Sequence, residues 1–139
     1  MKNFKIIESF IKDMSSETPD VETFLNVREK ISKYLLNIDI NSKAVKNGII
    51  EVNIILKFLD KPEILKKSYF EIIYTSVVKV DKSISNKKEM EKIILCDVPN
   101  EVYPKLEKIF INLLTDSGFP GIKFEKKVDF TELYKKRSN

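Results

Sequence analysis

Chemistry that needs a proton carrier has little to work with in this chain of 139 residues. It contains no histidine, so the commonest general base and nitrogen metal ligand is missing. Its one cysteine, Cys96, ends the apolar run Ile93-Ile94-Leu95-Cys96. With no histidine to draw off its proton, that thiol reads as a small buried apolar group and not as a nucleophile. No Gly-rich phosphate loop and no metal-ligand spacing occurs. The residue types therefore point away from an enzyme and from any bound cofactor. Nucleic-acid binding is also disfavoured. The net charge is +4, but of 25 basic residues only Arg28 and Arg137 are arginine, and acids are interleaved with the lysines throughout. A nucleic-acid footprint clusters its charge and favours arginine for bidentate contacts; scattered lysines read as a solvated surface. The apolar and aromatic side chains read first as the makings of an ordinary core.

These side chains must be positioned by a single domain spanning 1–139, the size that such a length implies. Apolar residues make up 42% and charged residues 33% of the chain, enough for a core without staples. One cysteine excludes an internal disulfide and suits the reducing cytoplasm. No apolar run reaches membrane-spanning length, and MKNFKIIESF interleaves charge with its apolar residues, which is not the pattern of a signal peptide.

Period-two patterns dominate the first eighty residues. Over 4–14, Phe4, Ile6 and Phe10 fall on one strand face and Ile7 and Ile11 on the other, although Phe4, Ile7 and Ile11 also fit a helix. SSETPD breaks the pattern, and 20–32 reads as a long connection with room for one helical turn. Over 33–41, Tyr34, Leu36, Ile38 and Ile40 share a face, with Asn37 and Asp39 opposite. Asn47-Gly48 signals a hairpin, because both residues tolerate positive φ. Ile50, Val52, Ile54, Leu56 and Phe58 alternate over 49–58, the chain turns around Pro62, and 68–80 is rich in β-branched and aromatic residues. Four consecutive strands joined mainly by short turns imply an antiparallel sheet.

The period then changes. Residues 87–96 read as a short helix stopped by Pro99-Asn100. Val102, Tyr103, Leu106, Ile109, Phe110, Leu113 and Leu114 form an amphipathic stripe over 102–116, with Pro104 in its first turn. The chain has three glycines, and two of them, Gly118 and Gly121, bracket Phe119-Pro120 just beyond this stripe. They mark a cap and a stiff turn that let a short terminal helix bearing Phe130, Leu133 and Tyr134 fold back; 135–139 would be a short flexible tail. Strands first and helices after define an α+β domain.

Several steps along the chain carry a family resemblance. Pro99-Asn100, Tyr103-Pro104, Gly118-Phe119-Pro120 and Asp129-Phe130 occur in order. So do Lys12-Asp13-x-Ser15-x-Glu17-x-Pro19 and the strands LNIDIN and IIEVNI. Taken together, the chain resembles the SecB family of protein-export chaperones over nearly its whole length. The resemblance implies a four-stranded antiparallel sheet, with a long amphipathic helix and a short C-terminal helix packed on one side, assembled as a homotetramer (a dimer of dimers). It implies a holdase that keeps unfolded precursor polypeptides in apolar grooves and passes them to the SecA translocase motor, without a cofactor, nucleic acid or insertion into the membrane. The groove would be lined by Phe24, Tyr34, Leu36, Ile38, Phe130, Leu133 and Tyr134; ordinary core packing is the competing reading for each of them. The motor-facing site would use Asp13 and Glu17. The acid expected in strand four falls on Ile73, and Glu71, two residues earlier on the same face, could replace it. Two alternatives are a SecB-like chaperone dedicated to an antitoxin and a basic nucleic-acid-binding domain. Ile111, on the amphipathic helix, is a candidate subunit contact.

Overall fold

The computed structural model describes residues 3–124 and 128–138. Four strands, β1 (Phe4–Glu17), β2 (Leu35–Lys46), β3 (Ile49–Leu59) and β4 (Tyr69–Val80), form one antiparallel sheet in the order β1-β4-β3-β2. The α+β architecture expected from the change of period is the one observed. The central strands carry the core. Val52, Ile54, Leu56 and Phe58 of β3 and Phe70, Ile72, Tyr74, Val78 and Val80 of β4 are buried, and directly opposite residues share a face. The hairpin between β2 and β3 turns at Asn47 and Gly48, whose φ values are 25° and 76°, as the Asn-Gly pair predicts.

Strand β1 departs from the simple alternation. Its register against β4 shifts between Ile6 and Glu8 and again between Ile11 and Asp13. Each bulge inserts one residue and re-aims those that follow. Phe4 and Ile6 pair with Val80 and Val78 on the core face, but Phe10 pairs with Thr75 on the outer face and Ile11 with Tyr74 on the core face. Phe10 therefore does not share a face with Phe4, as alternation implied. The strand also runs on through Ser15, Ser16 and Glu17, which read as a breaker.

The connection over 20–32 is more ordered than expected. Helix α1 spans Val21–Lys30, and a 3-10 turn follows over Ile31–Lys33. Asp20 caps it, its carboxylate accepting from the Thr23 amide at 2.7 Å. Thr23 and Val27, one turn apart, bury one narrow side; so faint a stripe hides in a charged segment.

The helical half differs in two respects. Its long helix begins at Val98, so Pro104 lies inside it and not in its first turn, and the expected stop ahead of it is missing. Lys87–Lys92 (α2) and Val98–Asp116 (α3) are not separated by a stop. They join through a π-helical turn over Ile93–Asp97 into one rod. In a regular helix the ring of Pro99 would strike a carbonyl one turn back; the widened turn moves that carbonyl aside. Val102, Leu106, Phe110 and Leu114 lie one turn apart and are buried in the sheet-backed core, while Ile111 is half-buried. Beyond Ser117 the Phe119 amide reaches back to the Leu114 carbonyl at 2.9 Å, a closure that requires the left-handed φ of 102° at Gly118. Phe119 is thereby driven into the core. Helix α4 spans Phe130–Ser138 and starts where Asp129 accepts from the Glu132 amide at 3.1 Å. Asn139, the end of the expected tail, lies outside the described residues.

Candidate functional site

The candidate groove residues divide between two places along one row of β2. At its beginning, Tyr34 is buried; its ring lies 5.4 Å from Phe58 and 6.4 Å from Phe70, and its hydroxyl accepts from the Ser68 amide at 3.0 Å. Burial pushes that hydroxyl above its usual range. Phe24, half-buried, packs at a tilt 5.2 Å from Phe119, which lies 5.6 Å from Phe70. Phe24 and Tyr34 thus belong to one aromatic cluster under the crossover. Leu36, opposite Phe58 on β3, follows one step along the strand and is half-buried against the core.

Further along, Ile38 opens onto a cleft of about 170 Å³ that it shares with Asp39, Ile40, Leu95, Phe130, Leu133 and Tyr134. This cleft lies between the outermost strand and α4, and the π-helical turn supplies its floor through Leu95. Phe130 is 1% exposed, its ring 5.4 Å from Tyr103, and it anchors α4. Leu133 is 48% exposed, so one apolar wall stands open to a ligand. Tyr134 donates its hydroxyl to the Lys88 carbonyl at 3.4 Å, and Thr131 meets the Cys96 sulfur and the Asn100 amide, each at 3.4 Å. Cys96 is buried among these groups, the setting expected for it. The structure therefore brings Ile38, Phe130, Leu133 and Tyr134 together and sets Phe24 and Tyr34 apart. Ile40 and Leu95 complete the cleft. Ile40 could have been found from its place in the Tyr34-to-Ile40 row; Leu95 depends on the π turn, which leaves no mark in the sequence.

The acids gather on the opposite, outer face. Asp13 pairs with Ile73, Ser15 with Glu71 and Glu17 with Tyr69 across β1 and β4. Asp13 and Glu17 are exposed. Glu71 does share the face of Ile73, but it is not free: its carboxylate accepts from the Tyr69 hydroxyl at 2.6 Å and lies 3.8 Å from the Lys57 ammonium. Burial, the bond to Glu71 and the nearby charges of Glu71, Glu17 and Asp13 push the Tyr69 hydroxyl up to about 12.

A one-layer sheet backed by a helical rod, with an apolar cleft at its edge, is the fold of a SecB-like chaperone. The Mycobacterium tuberculosis Rv1957 SecB-like chaperone, solved in complex with a ChAD peptide from the Rv1956 HigA1 antitoxin, matches it with a TM-score of 0.68. The match covers 91% of this chain and 88% of that one at 10% sequence identity. The family described as preprotein translocase subunit SecB matches residues 1–139, and the chain belongs to that family of protein-export chaperones. A putative protein-export protein SecB of Pelagibacter ubique is 77% identical over 99% of both chains. The protein-export protein SecB of Rickettsia bellii is 27% identical over 99% of this chain and 89% of its own. No helix among the described residues is long and apolar enough to cross a membrane.

Proposed function

We propose that this chain is a cytoplasmic holdase that binds non-native precursor polypeptides at the β2–α4 cleft and delivers them to the SecA motor. The observation that carries this reading is Leu133, half-open in an apolar cleft of a chain that belongs to an export-chaperone family. A chaperone of this kind stabilises the unfolded state of its client by mass action. At about 25 cal/mol per Å2, a few hundred Å2 of apolar contact contributes several kcal/mol, with little demand on client sequence. No nucleotide hydrolysis, metal or cofactor enters this mechanism.

Leu133→Asp is expected to reduce client capture at least tenfold, because a carboxylate in an apolar cleft carries an unpaired desolvation cost. Suppression of light scattering by a refolding client measures it, and sedimentation checks that the assembly persists. Loss of the assembly instead would assign Leu133 to the core.

The motor would be met by Asp13 and Glu17, with Glu71 behind them as a tethered third acid. Exposed carboxylates on a flat sheet face suit a basic partner segment and give a salt-sensitive contact. Asp13→Lys combined with Glu17→Lys is expected to weaken SecA binding tenfold or more and to leave client capture intact. Calorimetric titration decides; unchanged SecA affinity removes the assignment.

Ile7, Phe10, Ile11 and Met14 of the edge strand β1 are all exposed apolar residues. Such an edge needs covering, and it supports assembly of the chain as a homotetramer. A chaperone dedicated to one antitoxin would use the same cleft, yet would capture that tail and ignore generic unfolded clients.

A further inference from the structure

Lysines that are scattered along the sequence are sorted by the register of the sheet. Lys46 of β2 lies opposite Ile49 of β3, Ile49 opposite Lys79 of β4, and Lys79 opposite Lys5 of β1. Lys79 alternates in step with Glu71 and Ile73, so this row crosses the outer face. Two backbone bonds draw the neighbouring turns to the same end. The Val80 amide donates to the Gly48 carbonyl and the Asp81 amide to the Asn3 carbonyl, each at 2.8 Å. Lys5, Lys79 and Lys82, with Asn3 and Asp81, line a hollow of about 380 Å³ there. Lys5, Lys46, Lys79 and Lys82 are all exposed, and none of them forms an ion pair with a described residue.

Like charges directly opposite one another on a sheet are destabilising, and Lys5 faces Lys79 across two strands. The acids nearby do not cancel this charge. Asp81 accepts from the Ser83 amide at 2.9 Å and closes its own turn. Glu51, one row further in, accepts from the Lys12 ammonium at 3.0 Å and from the Asn53 amide at 2.8 Å. Glu8, opposite Val77, and Asp81 offset part of the charge and leave the rim positive. The acids Asp13, Glu17 and Glu71 lie toward the other end of the same face. Along β4 the path from Lys79 to Glu71 is roughly 27 Å, at about 3.4 Å per residue. Charges are screened over about 8 Å at physiological salt. The two ends therefore act as separate poles of one flat surface.

We infer that this basic rim holds the protein against an anionic bilayer surface, with a lipid phosphate seated in the hollow between Lys5, Lys79 and Lys82. Charge complementarity carries the inference, and the residue type suits it. A bilayer presents diffuse headgroup charge, which compact ammonium groups meet without the planar forks of arginine that nucleic-acid phosphate favours. Each lysine near an anionic surface raises partitioning about fivefold. The contact is peripheral, and no side chain enters hydrocarbon. The same surface repels Asp13 and Glu17, so the acidic pole is turned away from the lipid and toward the water. The choice of a bilayer over a soluble polyanion rests on the export reading above, because export ends at a membrane.

Co-sedimentation of the full chain with vesicles tests it, using phosphatidylcholine alone or in equal parts with phosphatidylglycerol. Binding is expected to the mixed vesicles only, and to fall at least about tenfold from low to high salt. Lys79→Glu is expected to weaken that binding at least about tenfold. It also sets opposite charges face to face, so its urea midpoint should rise, and the loss is then not one of folding. Lys33→Glu with Lys61→Glu, beyond the far end of the β2–β3 pair, changes the net charge more and should leave vesicle binding within about twofold. Equal losses from the two variants assign binding to overall charge and overturn the inference. A midpoint lowered by Lys79→Glu removes the repulsion that singles out this rim and overturns it too. Affinity for polyglutamate or duplex DNA, with none for the mixed vesicles, assigns the rim to a soluble polyanion and overturns the bilayer. Suppression of client light scattering, measured on the same preparations, keeps the two readings apart. Client capture without vesicle binding overturns this inference and leaves the holdase standing; vesicle binding without client capture does the reverse.

Discussion

Phe130→Ala is expected to release helix α4 from the rest of the molecule. The side chain is buried against Tyr103 and forms a wall of the apolar cleft. Truncating a buried phenylalanine costs about 3 to 5 kcal/mol. A helix as short as Phe130–Ser138 has little stability of its own in water. The bonds from Thr131 to Cys96 and Asn100 and from Tyr134 to Lys88 are long and partly exposed. The loss should therefore appear locally. Amides of α4 are expected to exchange at the rate of an unstructured peptide, and the unfolding of the sheet and α3 should change far less. Client capture should fall with α4, because one side of the cleft has gone. Unaltered exchange in α4 would show that Phe130 is not its anchor.

Gly118→Ala is expected to be the most destabilising single-methyl change outside the buried strands. Gly118 has a φ of 102°, and an added Cβ would lie 2.6 Å from Phe24 Cε1. Two costs combine. A side chain in left-handed backbone costs about 1 to 2 kcal/mol, and overpacking against a held ring costs about 1 to 3 kcal/mol. The Phe24 ring is held on one side, since it packs at a tilt against Phe119, itself set edge-on to Phe70. Chemical denaturation of Gly118→Ala, Phe24→Ala and the double variant separates the two costs. The steric part should vanish in the double variant and the backbone part should persist. Strict additivity would show that the methyl group and the ring do not meet.

The sheet was the most legible part of the chain. Ile50 to Phe58 and the 68–80 segment announce buried strands because one face of each is apolar without interruption. Asn47-Gly48 and Gly118 were equally plain, since each marks a backbone conformation that few residues adopt. What escaped has a physical reason in each case. The bulges at Ile7 and Lys12 carry no glycine or other residue signature, so Phe10 was placed on the wrong face. Helix α1 buries only Thr23 and Val27, one of them polar, so its stripe is nearly invisible. Pro99 reads as a stop unless the preceding turn is known to widen. Of the site, Ile38, Leu133 and Tyr134 were identifiable as apolar residues at strand or helix spacing. Their meeting in one cleft depends on how α4 folds back, and only the family resemblance anticipated that. Nothing in the composition distinguishes Glu71, held by Tyr69 and Lys57, from the freely exposed Asp13 and Glu17.

The widened turn over Ile93–Asp97 has a further bearing, on orientation. A helix advances about 100° per residue, so one additional residue in the ring works as an angular spacer. It lets the stretch ahead of it, with Lys88, address Tyr134 while the stretch behind it keeps Leu106 and Phe110 against the strands. Shortening the rod by one residue there would leave every side chain in place chemically and yet dial the two halves out of phase. The mouth of the cleft is thus aimed by a miscount in the winding, and evolution could re-aim it by length alone, without touching any residue that lines it.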